Sequence, residues 1–174
     1  MLEIEVKARC SSHDKMKDLL LSKGASFSGS VKEKDDYFNH PFRDFKKTQE
    51  AFRLRVQNGK CFITYKGPKL GGVAKSRFEA ETAIGDYATM RSILENLGFC
   101  YVGSVEKKRD SYELNGITVC LDDVPALGLF IEIEKIGEDR DSVEKDVLAA
   151  AVELGVSEFE RRSYLSLVLE KKSL

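Results

Sequence analysis

Charged side chains two residues apart recur along the sequence, and each such pair encloses a single apolar residue. Carboxylates in this spacing can share divalent cations, because same-face residues of a strand lie about 6.6 Å apart at a rise of about 3.3 Å per residue. Arginine and lysine in the same spacing can hold phosphate oxygens. The pattern predicts a site for a metal-bound polyanion. Its acidic members are Glu3, Glu5, Glu79, Glu81, Glu132 and Glu134, and its basic members include Lys7, Arg53 and Arg55.

Histidine and cysteine contribute little to this chemistry. His13 and His40 are the only histidines, so a serine or cysteine nucleophile activated by histidine is not expected. The four cysteines stand far apart without a CxxC pair, which argues against zinc and favours reduced thiols in the core or barrel wall. Oxygen ligands instead favour Mg²⁺ or Mn²⁺.

Composition limits the class of protein. A chain of 174 residues with 42% hydrophobic side chains suits one domain spanning residues 1–174. The net charge of -1 gives no overall field that would attract nucleic acid or an anionic membrane. The sequence has no long apolar stretch and opens directly into Leu2 and Glu3 without a basic and apolar leader, so we expect a cytoplasmic protein.

Alternation of polar and apolar residues predicts a sheet built mainly of antiparallel strands. Asn58-Gly59 and Asn115-Gly116 lie between alternating runs and predict type I′ hairpin turns, since both central residues need positive φ. The predicted strands include 2–9, 51–57, 61–66, 77–83, 100–114, 117–123 and 129–136, and a similar strand follows Gly29.

Three intervals with helical spacing lie between these strands, and a fourth short helix is predicted at 162–171. Ser12, Asp86 and Asp141 are the predicted N-caps. Each of the first three helices ends near a glycine suited to the left-handed position after a helix: Gly24, Gly98 and Gly155. The segments 40–50 and 67–75 are predicted to be loops.

The chain also contains an internal repeat. Residues 2–5 align with residues 78–81, and each segment is followed by a helix, a glycine and a strand that begins Gly-Ser-Val. We expect such a duplication to place equivalent charged strands opposite one another in a closed sheet.

The charged faces have two interpretations. A one-sided sheet with its charges in water is the simpler explanation for any single strand. Recurrence on several strands, as charge rather than serine or threonine, favours a closed barrel with the charges in its lumen and the helices outside. Enclosed ions cost several kcal/mol each unless partners or ligands compensate them. A polyphosphate with its metals would compensate both signs.

The segment Glu3-Ile4-Glu5-Val6-Lys7 resembles the ExExK motif of the CYTH superfamily, the triphosphate tunnel metalloenzymes. The similarity continues in order through residues 53–55 (RLR), 64–69 (TYKGPK) and 130–134 (FIEIE), and covers essentially the whole chain. Residues 40–45 (HPFRDF) and the TYKGPK block are most similar to the class IV adenylyl cyclase-type branch.

This resemblance implies an α+β fold, an eight-stranded antiparallel tunnel flanked by helices. It assigns metal binding to Glu3, Glu5, Glu132, Glu134 and Asp122, with Glu79 and Glu81 as supporting acids. It assigns catalysis to Glu5, Glu134, Lys7 and Arg109. The triphosphate-binding bases are Lys7, Arg53, Arg55, Lys66, Arg77, Lys107 and Arg109. The sequence does not determine whether the side chain of Lys75, at the end of the loop that contains Gly71-Gly72, points into the lumen.

The resemblance also implies the reaction. ATP would lie with its triphosphate in the tunnel, the ribose 3′ oxygen would attack the α-phosphorus, and pyrophosphate would leave. A triphosphatase acting on thiamine triphosphate, tripolyphosphate or a nucleotide is the alternative in the same tunnel. From other classes, a non-catalytic polyphosphate- or nucleotide-binding module and a purely structural β-domain stay open, as does a homodimer. The expected partner is a small-molecule triphosphate.

Overall fold

The computed structural model describes residues 2–71 and 73–173, so Gly72 of the predicted loop lies outside the described residues. Within these ranges, eight strands form one closed antiparallel barrel in the order β1-β5-β4-β3-β2-β6-β7-β8. The strands are β1 (Leu2–Arg9), β2 (Ser26–Asn39), β3 (Ala51–Gln57), β4 (Lys60–Lys66), β5 (Lys75–Ile84), β6 (Cys100–Leu114), β7 (Ile117–Val124) and β8 (Gly128–Gly137).

Five helices connect or follow these strands in the described part of the chain. They are α1 (His13–Ser22), α2 (Phe45–Thr48), α3 (Tyr87–Asn96), α4 (Arg140–Glu153) and α5 (Tyr164–Lys172). The short α2 falls inside the segment 40–50 that the sequence predicted to be a loop. Among the described helices, none has the length and apolarity needed to cross a membrane.

Alternation along β1 separates an apolar outer face from a charged inner face. On β1, Ile4, Val6 and Ala8 are buried in the main hydrophobic core, where Val147 and Ala151 of α4 also lie. Glu3, Glu5 and Lys7 of the same strand instead line the cavity of the barrel. Burial of the outer face under helices therefore leaves the charged face no position except the lumen.

The predicted turns and caps are largely confirmed. Asn58 and Asn115 have φ of 47° and 52°, and the following Gly59 and Gly116 also have positive φ. Ser12 caps α1 and Asp86 caps α3. All three glycines predicted to follow helices, Gly24, Gly98 and Gly155, have positive φ.

Two helix starts differ from the prediction. The N-cap of α4 is Asp139, whose side chain accepts a hydrogen bond from the Asp141 backbone, so the predicted cap Asp141 lies inside the first turn. The last helix begins at Tyr164 rather than at residue 162, because Ser163 caps it by accepting from the Ser166 backbone.

The repeat has a clear structural counterpart. Strands β1 and β5 are equivalent in the repeat and pair with each other, and so do β2 and β6. The barrel order is consistent with an approximate twofold axis that exchanges β1 with β5 and β2 with β6. The expectation that equivalent strands would face each other across the barrel is therefore wrong: they are neighbours, because the axis passes between them.

Candidate functional site

Three carboxylates from two adjacent strands meet in the barrel. Glu5 of β1 is directly paired with Glu134 of β8, and Glu3 lies two residues from Glu5 on the same face. One oxygen from each of the three carboxylates lies within 4.8 Å of the others. An all-oxygen donor set of this kind fits a hard divalent cation such as Mg²⁺ or Mn²⁺.

The surroundings of this cluster disfavour its negative charge. Burial raises the pKa of Glu3 to about 8, and a hydrogen bond with Glu79 adds to the rise. Burial also raises the pKa of Glu134 to about 6. A bound cation would reverse this effect, because it favours the ionised carboxylates. The carboxylates therefore fit a metal both in donor chemistry and in electrostatics.

Two arginines on β3 face into the lumen and share a counterion from β2. Arg55 donates to both oxygens of Asp35, at 2.7 and 2.8 Å, and Arg53 donates to Asp35 at 3.1 Å. Arg55 also donates to Glu33 at 3.0 Å. Burial alone would raise the pKa of Asp35, but the two guanidinium groups lower it. Asp35, Arg53 and Arg55 are consequently charged in the interior.

A second ion cluster lies where β6, β7 and β8 adjoin. Arg109 donates to both oxygens of Asp122, at 2.7 and 2.6 Å, and also to Glu132. Lys107 donates to Asp122 at 3.0 Å, and the Tyr164 hydroxyl donates to the same carboxylate at 2.9 Å. Asp122 has no exposed surface. Its oxygens thus serve as buried counterions for this cluster.

Lys66 joins the carboxylate cluster to the neighbouring strand β5. Its ammonium lies 2.8 Å from Glu3 and 2.5 Å from Glu79. Burial alone would lower the pKa of Lys66, but the Glu3 carboxylate raises it. Glu81 accepts a hydrogen bond from Thr64 at 2.6 Å. Both predicted supporting acids, Glu79 and Glu81, therefore lie at the edge of the candidate site.

Lys7 contacts an aromatic ring in the barrel. It is almost completely buried, and its ammonium lies 3.9 Å above the centre of the Tyr164 ring. The ring's negative face stabilises the ammonium through a cation–π interaction. Arg77 lines the same cavity from β5, where its backbone pairs with Glu3.

A single cavity of about 1050 Å³ collects these groups. With the exception of Asp122, every residue that the sequence assigned to the site lines this cavity. Lys75 opens β5 and pairs with Glu5 through its backbone, and its side chain lies outside the description. The lining residues with predicted roles are Glu3, Glu5, Lys7, Arg53, Arg55, Lys66, Arg77, Glu79, Glu81, Lys107, Arg109, Glu132 and Glu134.

Two predicted metal ligands lie apart from the three-carboxylate cluster. Glu132 follows the same face as Glu134 but is paired with Lys7 and contacted by Arg109. Asp122 is enclosed by Lys107, Arg109 and Tyr164, as described above. The roles of Glu132 and Asp122 as ligands stay predictions.

The site residues predicted from the sequence do not include two lumenal acids and one lumenal tyrosine. Glu33 and Asp35 are both buried and neutralise the β3 arginines. Their two-residue spacing on β2 was a usable signal, identical to that of Glu3 and Glu5. Tyr164 packs in a hydrophobic cluster, and its hydroxyl donates to Asp122, but its ring also contacts Lys7 and it lines the cavity.

Comparisons with known proteins agree with this geometry. The model of the CYTH domain family matches residues 1–164. A Methanocaldococcus jannaschii protein named "Putative adenylate cyclase" is 38% identical over 172 residues, which cover 96% of this chain and 98% of the relative. A solved structure from Pyrococcus horikoshii is 40% identical, with a TM-score of 0.87, and covers 97% of this chain and 99% of its own.

A more distant solved structure shows the same fold. It comes from Hippeastrum, is described as an adenylyl cyclase-type protein with a dominant triphosphatase activity, and is 20% identical with a TM-score of 0.67. The match covers 97% of this chain and 95% of that one.

Proposed function

The chain belongs to the CYTH domain family, and we propose that it is a divalent-metal-dependent enzyme acting on a triphosphate held in the barrel cavity. One observation carries the proposal. A three-carboxylate cluster and a set of buried cations line the same cavity. A site for an anion alone would gain nothing from the carboxylates, and a site for a metal alone would gain nothing from the cations.

The cations are suited to the equatorial oxygens of a triphosphate. Arg53, Arg55 and Arg109 present planar forks that can bind phosphate oxygens bidentately, whereas Lys66 and Lys107 act as point charges. Each of these groups is paired with a carboxylate in the structure described here. These carboxylates hold the cations in positions around the lumen, and a triphosphate would replace part of the contacts.

The carboxylates Glu3, Glu5 and Glu134 would hold Mg²⁺ or Mn²⁺. Such an ion would neutralise phosphate charge and lower the pKa of an attacking hydroxyl or water. Lys7, held over Tyr164 in a buried position, would contribute a fixed positive charge to the reacting phosphate.

The reaction that we place first converts ATP into cyclic AMP and pyrophosphate. A bond forms between the ribose 3′ oxygen and the α-phosphorus, and the bond from that phosphorus to the bridging oxygen of the β-phosphate breaks. The 3′-hydroxyl proton passes to solvent, and the bridging oxygen leaves with pyrophosphate. The name of the Methanocaldococcus jannaschii relative supports this order.

Triphosphate hydrolysis is the second candidate. Water would attack the terminal phosphorus of thiamine triphosphate, tripolyphosphate or a nucleoside triphosphate in the same cavity. The activity described for the Hippeastrum protein favours this candidate. The two reactions differ in which phosphorus is attacked, so their products separate them.

A product assay tests the proposal. The protein is incubated with α-labelled ATP and Mn²⁺, and in parallel with GTP, thiamine triphosphate and tripolyphosphate. Cyclic AMP with pyrophosphate is the expected result, and phosphate without cyclic AMP would place the triphosphatase first.

Glu5→Gln is expected to lower turnover by about 100-fold, whereas Glu153→Gln on the exposed face of α4 should retain it. No turnover above background in either the wild type or Glu5→Gln would favour a non-catalytic binding module, and equal turnover above background in both would contradict a catalytic role for Glu5.

A further inference from the structure

The ring of Tyr164 contacts two lumenal lysines that come from different strands. The Lys7 ammonium of β1 lies 3.9 Å from the centre of the ring, and the Lys107 ammonium of β6 lies 5.3 Å from it. Both distances are within the range of about 6 Å over which a ring face attracts a cation, and the attraction is strongest for a desolvated cation. Both lysines are almost completely buried. One ring therefore contacts cations from two strands that are not neighbours in the barrel.

The hydroxyl and the ring of Tyr164 are held at separate points. The hydroxyl donates to Asp122 at 2.9 Å, and Lys107 and Arg109 donate to the same carboxylate. Burial raises the pKa of Tyr164 well above its usual range, so the hydroxyl stays a neutral donor. The Phe130 ring meets the Tyr164 ring edge to face, with 5.1 Å between the ring centres. These contacts restrict rotation of the Tyr164 side chain.

The segment before α5 is attached to β1 beside Lys7. Ala8 forms an isolated antiparallel bridge with Phe159, and the Glu160 N–H donates to the Lys7 carbonyl at 2.6 Å. In the described part of the chain, β5 pairs with β1 from residue 2 to Glu5. The segment therefore extends the hydrogen bonding of β1 beyond these pairs. The same short segment thus holds the Lys7 backbone and leads directly into the residue whose ring contacts the Lys7 side chain.

We infer that Tyr164 is a positioning residue: its ring fixes the Lys7 ammonium for the triphosphate, with Lys107 as a second and longer contact. The inference rests on the proposed triphosphate site. A lysine has a flexible stem, and holding it in one geometry before binding removes part of the entropy cost of binding. The ring carries no formal charge, so it restrains the ammonium without adding a counter-charge that phosphate would have to displace.

Two substitutions separate the ring from the hydroxyl. Tyr164→Phe keeps the ring and removes the hydroxyl, whereas Tyr164→Leu removes both and leaves an apolar side chain. Titration calorimetry with tripolyphosphate and Mg²⁺ measures the effect on binding without turnover. Tyr164→Leu should weaken binding about tenfold, and Tyr164→Phe should stay within about threefold of the wild type. Tyr164→Met, whose flexible side chain fills a similar space without a ring, takes the place of the leucine variant if that variant does not fold.

Tyr112→Leu is the matched control. Tyr112 is a buried tyrosine of β6 whose side chain belongs to the main hydrophobic core. Its substitution removes a buried ring of the same size, so it should lower stability in urea denaturation and leave tripolyphosphate affinity within about twofold. A loss of affinity in Tyr112→Leu as large as in Tyr164→Leu would show a general effect of core truncation and overturn the inference.

A double-mutant cycle tests whether Tyr164 acts through Lys7. Lys7→Met should itself weaken tripolyphosphate, and adding Tyr164→Leu to it should change the affinity by less than about threefold, because the main target of the ring is gone. Additive losses in the double variant, equal affinity of the wild type and Tyr164→Leu, or an equal loss in Tyr164→Phe and Tyr164→Leu would overturn the inference and leave the triphosphate site intact. Failure of the wild type to bind tripolyphosphate would overturn the proposed function as well.

Discussion

Three carboxylates within 4.8 Å of one another form a costly arrangement in a partly buried site unless a cation joins them. Burial already raises the pKa of Glu134 to about 6. This repulsion lowers the stability of the metal-free protein. A substitution that removes one of the three charges should therefore distinguish metal binding from folding.

Glu134→Gln should stabilise the metal-free protein while abolishing its response to metal. Removing one of three crowded charges is expected to raise the melting temperature in EDTA at pH 8 by about 2–4 °C. The rise produced by added Mg²⁺ in the wild type should be lost. Differential scanning calorimetry with and without Mg²⁺ measures both effects. A lower melting temperature in EDTA together with a normal Mg²⁺ response would contradict the assignment of Glu134 to the cluster.

The counterion Asp35 offers a second test at the same scale. Asp35→Asn leaves Arg53 and Arg55 without their shared carboxylate and should cost about 3–5 kcal/mol in the free energy of unfolding. Tripolyphosphate should stabilise this variant more than the wild type, because the freed guanidinium groups bind phosphate. Urea denaturation with and without tripolyphosphate measures this difference.

Asp146→Asn is the control for Asp35→Asn. It removes a half-exposed partner of Lys135 and should cost less than about 1 kcal/mol. Equal stabilisation of Asp35→Asn and the wild type by tripolyphosphate would show that Asp35 does not compete with phosphate for the arginines.

The cysteines differ in reactivity because they differ in burial. Cys120 is 1% exposed, and burial raises its pKa to about 12, whereas Cys100 is exposed. Iodoacetamide at pH 8 should therefore label Cys100 in the native protein and Cys120 only after unfolding. Mass spectrometry of the labelled peptides measures this. Rapid native labelling of Cys120 would indicate that β7 opens to solvent.

At the scale of elements, the helices stabilise the barrel by covering its apolar outer face. Two adjacent leucines of α1 separate this contribution from helix propensity. Leu20 is fully buried in the main core, and Leu21 is 55% exposed. Leu20→Ala should cost about 2–5 kcal/mol in the free energy of unfolding, and Leu21→Ala less than about 0.5 kcal/mol. Chemical denaturation measures both, and similar costs would mean that α1 does not cover the barrel as described.

At the scale of the whole molecule, a ligand that bridges strands around the closed barrel should stabilise all of them together. Tripolyphosphate with Mg²⁺ at about 100 times its dissociation constant should add about 2.7 kcal/mol to the free energy of unfolding. The melting temperature should rise by about 5–10 °C. Sodium sulfate at equal ionic strength controls for nonspecific anion effects. An unchanged melting temperature would argue against a triphosphate site in the cavity.

Local pattern was sufficient for the strands, the two Asn-Gly hairpins and the division of the strands into charged and apolar faces. These features depend on residues close together in sequence: alternation fixes the faces, and positive φ fixes the turns. For this reason Glu3, Glu5, Arg53 and Arg55 could be assigned to charged strand faces from the sequence, and the recurrence of such faces on several strands favoured the lumen.

The tertiary structure decided which lumenal residues meet. Glu132 and Glu134 share one face, yet only Glu134 joins Glu3 and Glu5, because the register of β8 pairs Glu134 with Glu5 and leaves Glu132 to Arg109. The burial of Asp122 and the placement of α5 beside Gly103 depend in the same way on pairings between distant segments. Barrel closure sets those pairings through strand register and packing, and neither is encoded in the period of any single strand.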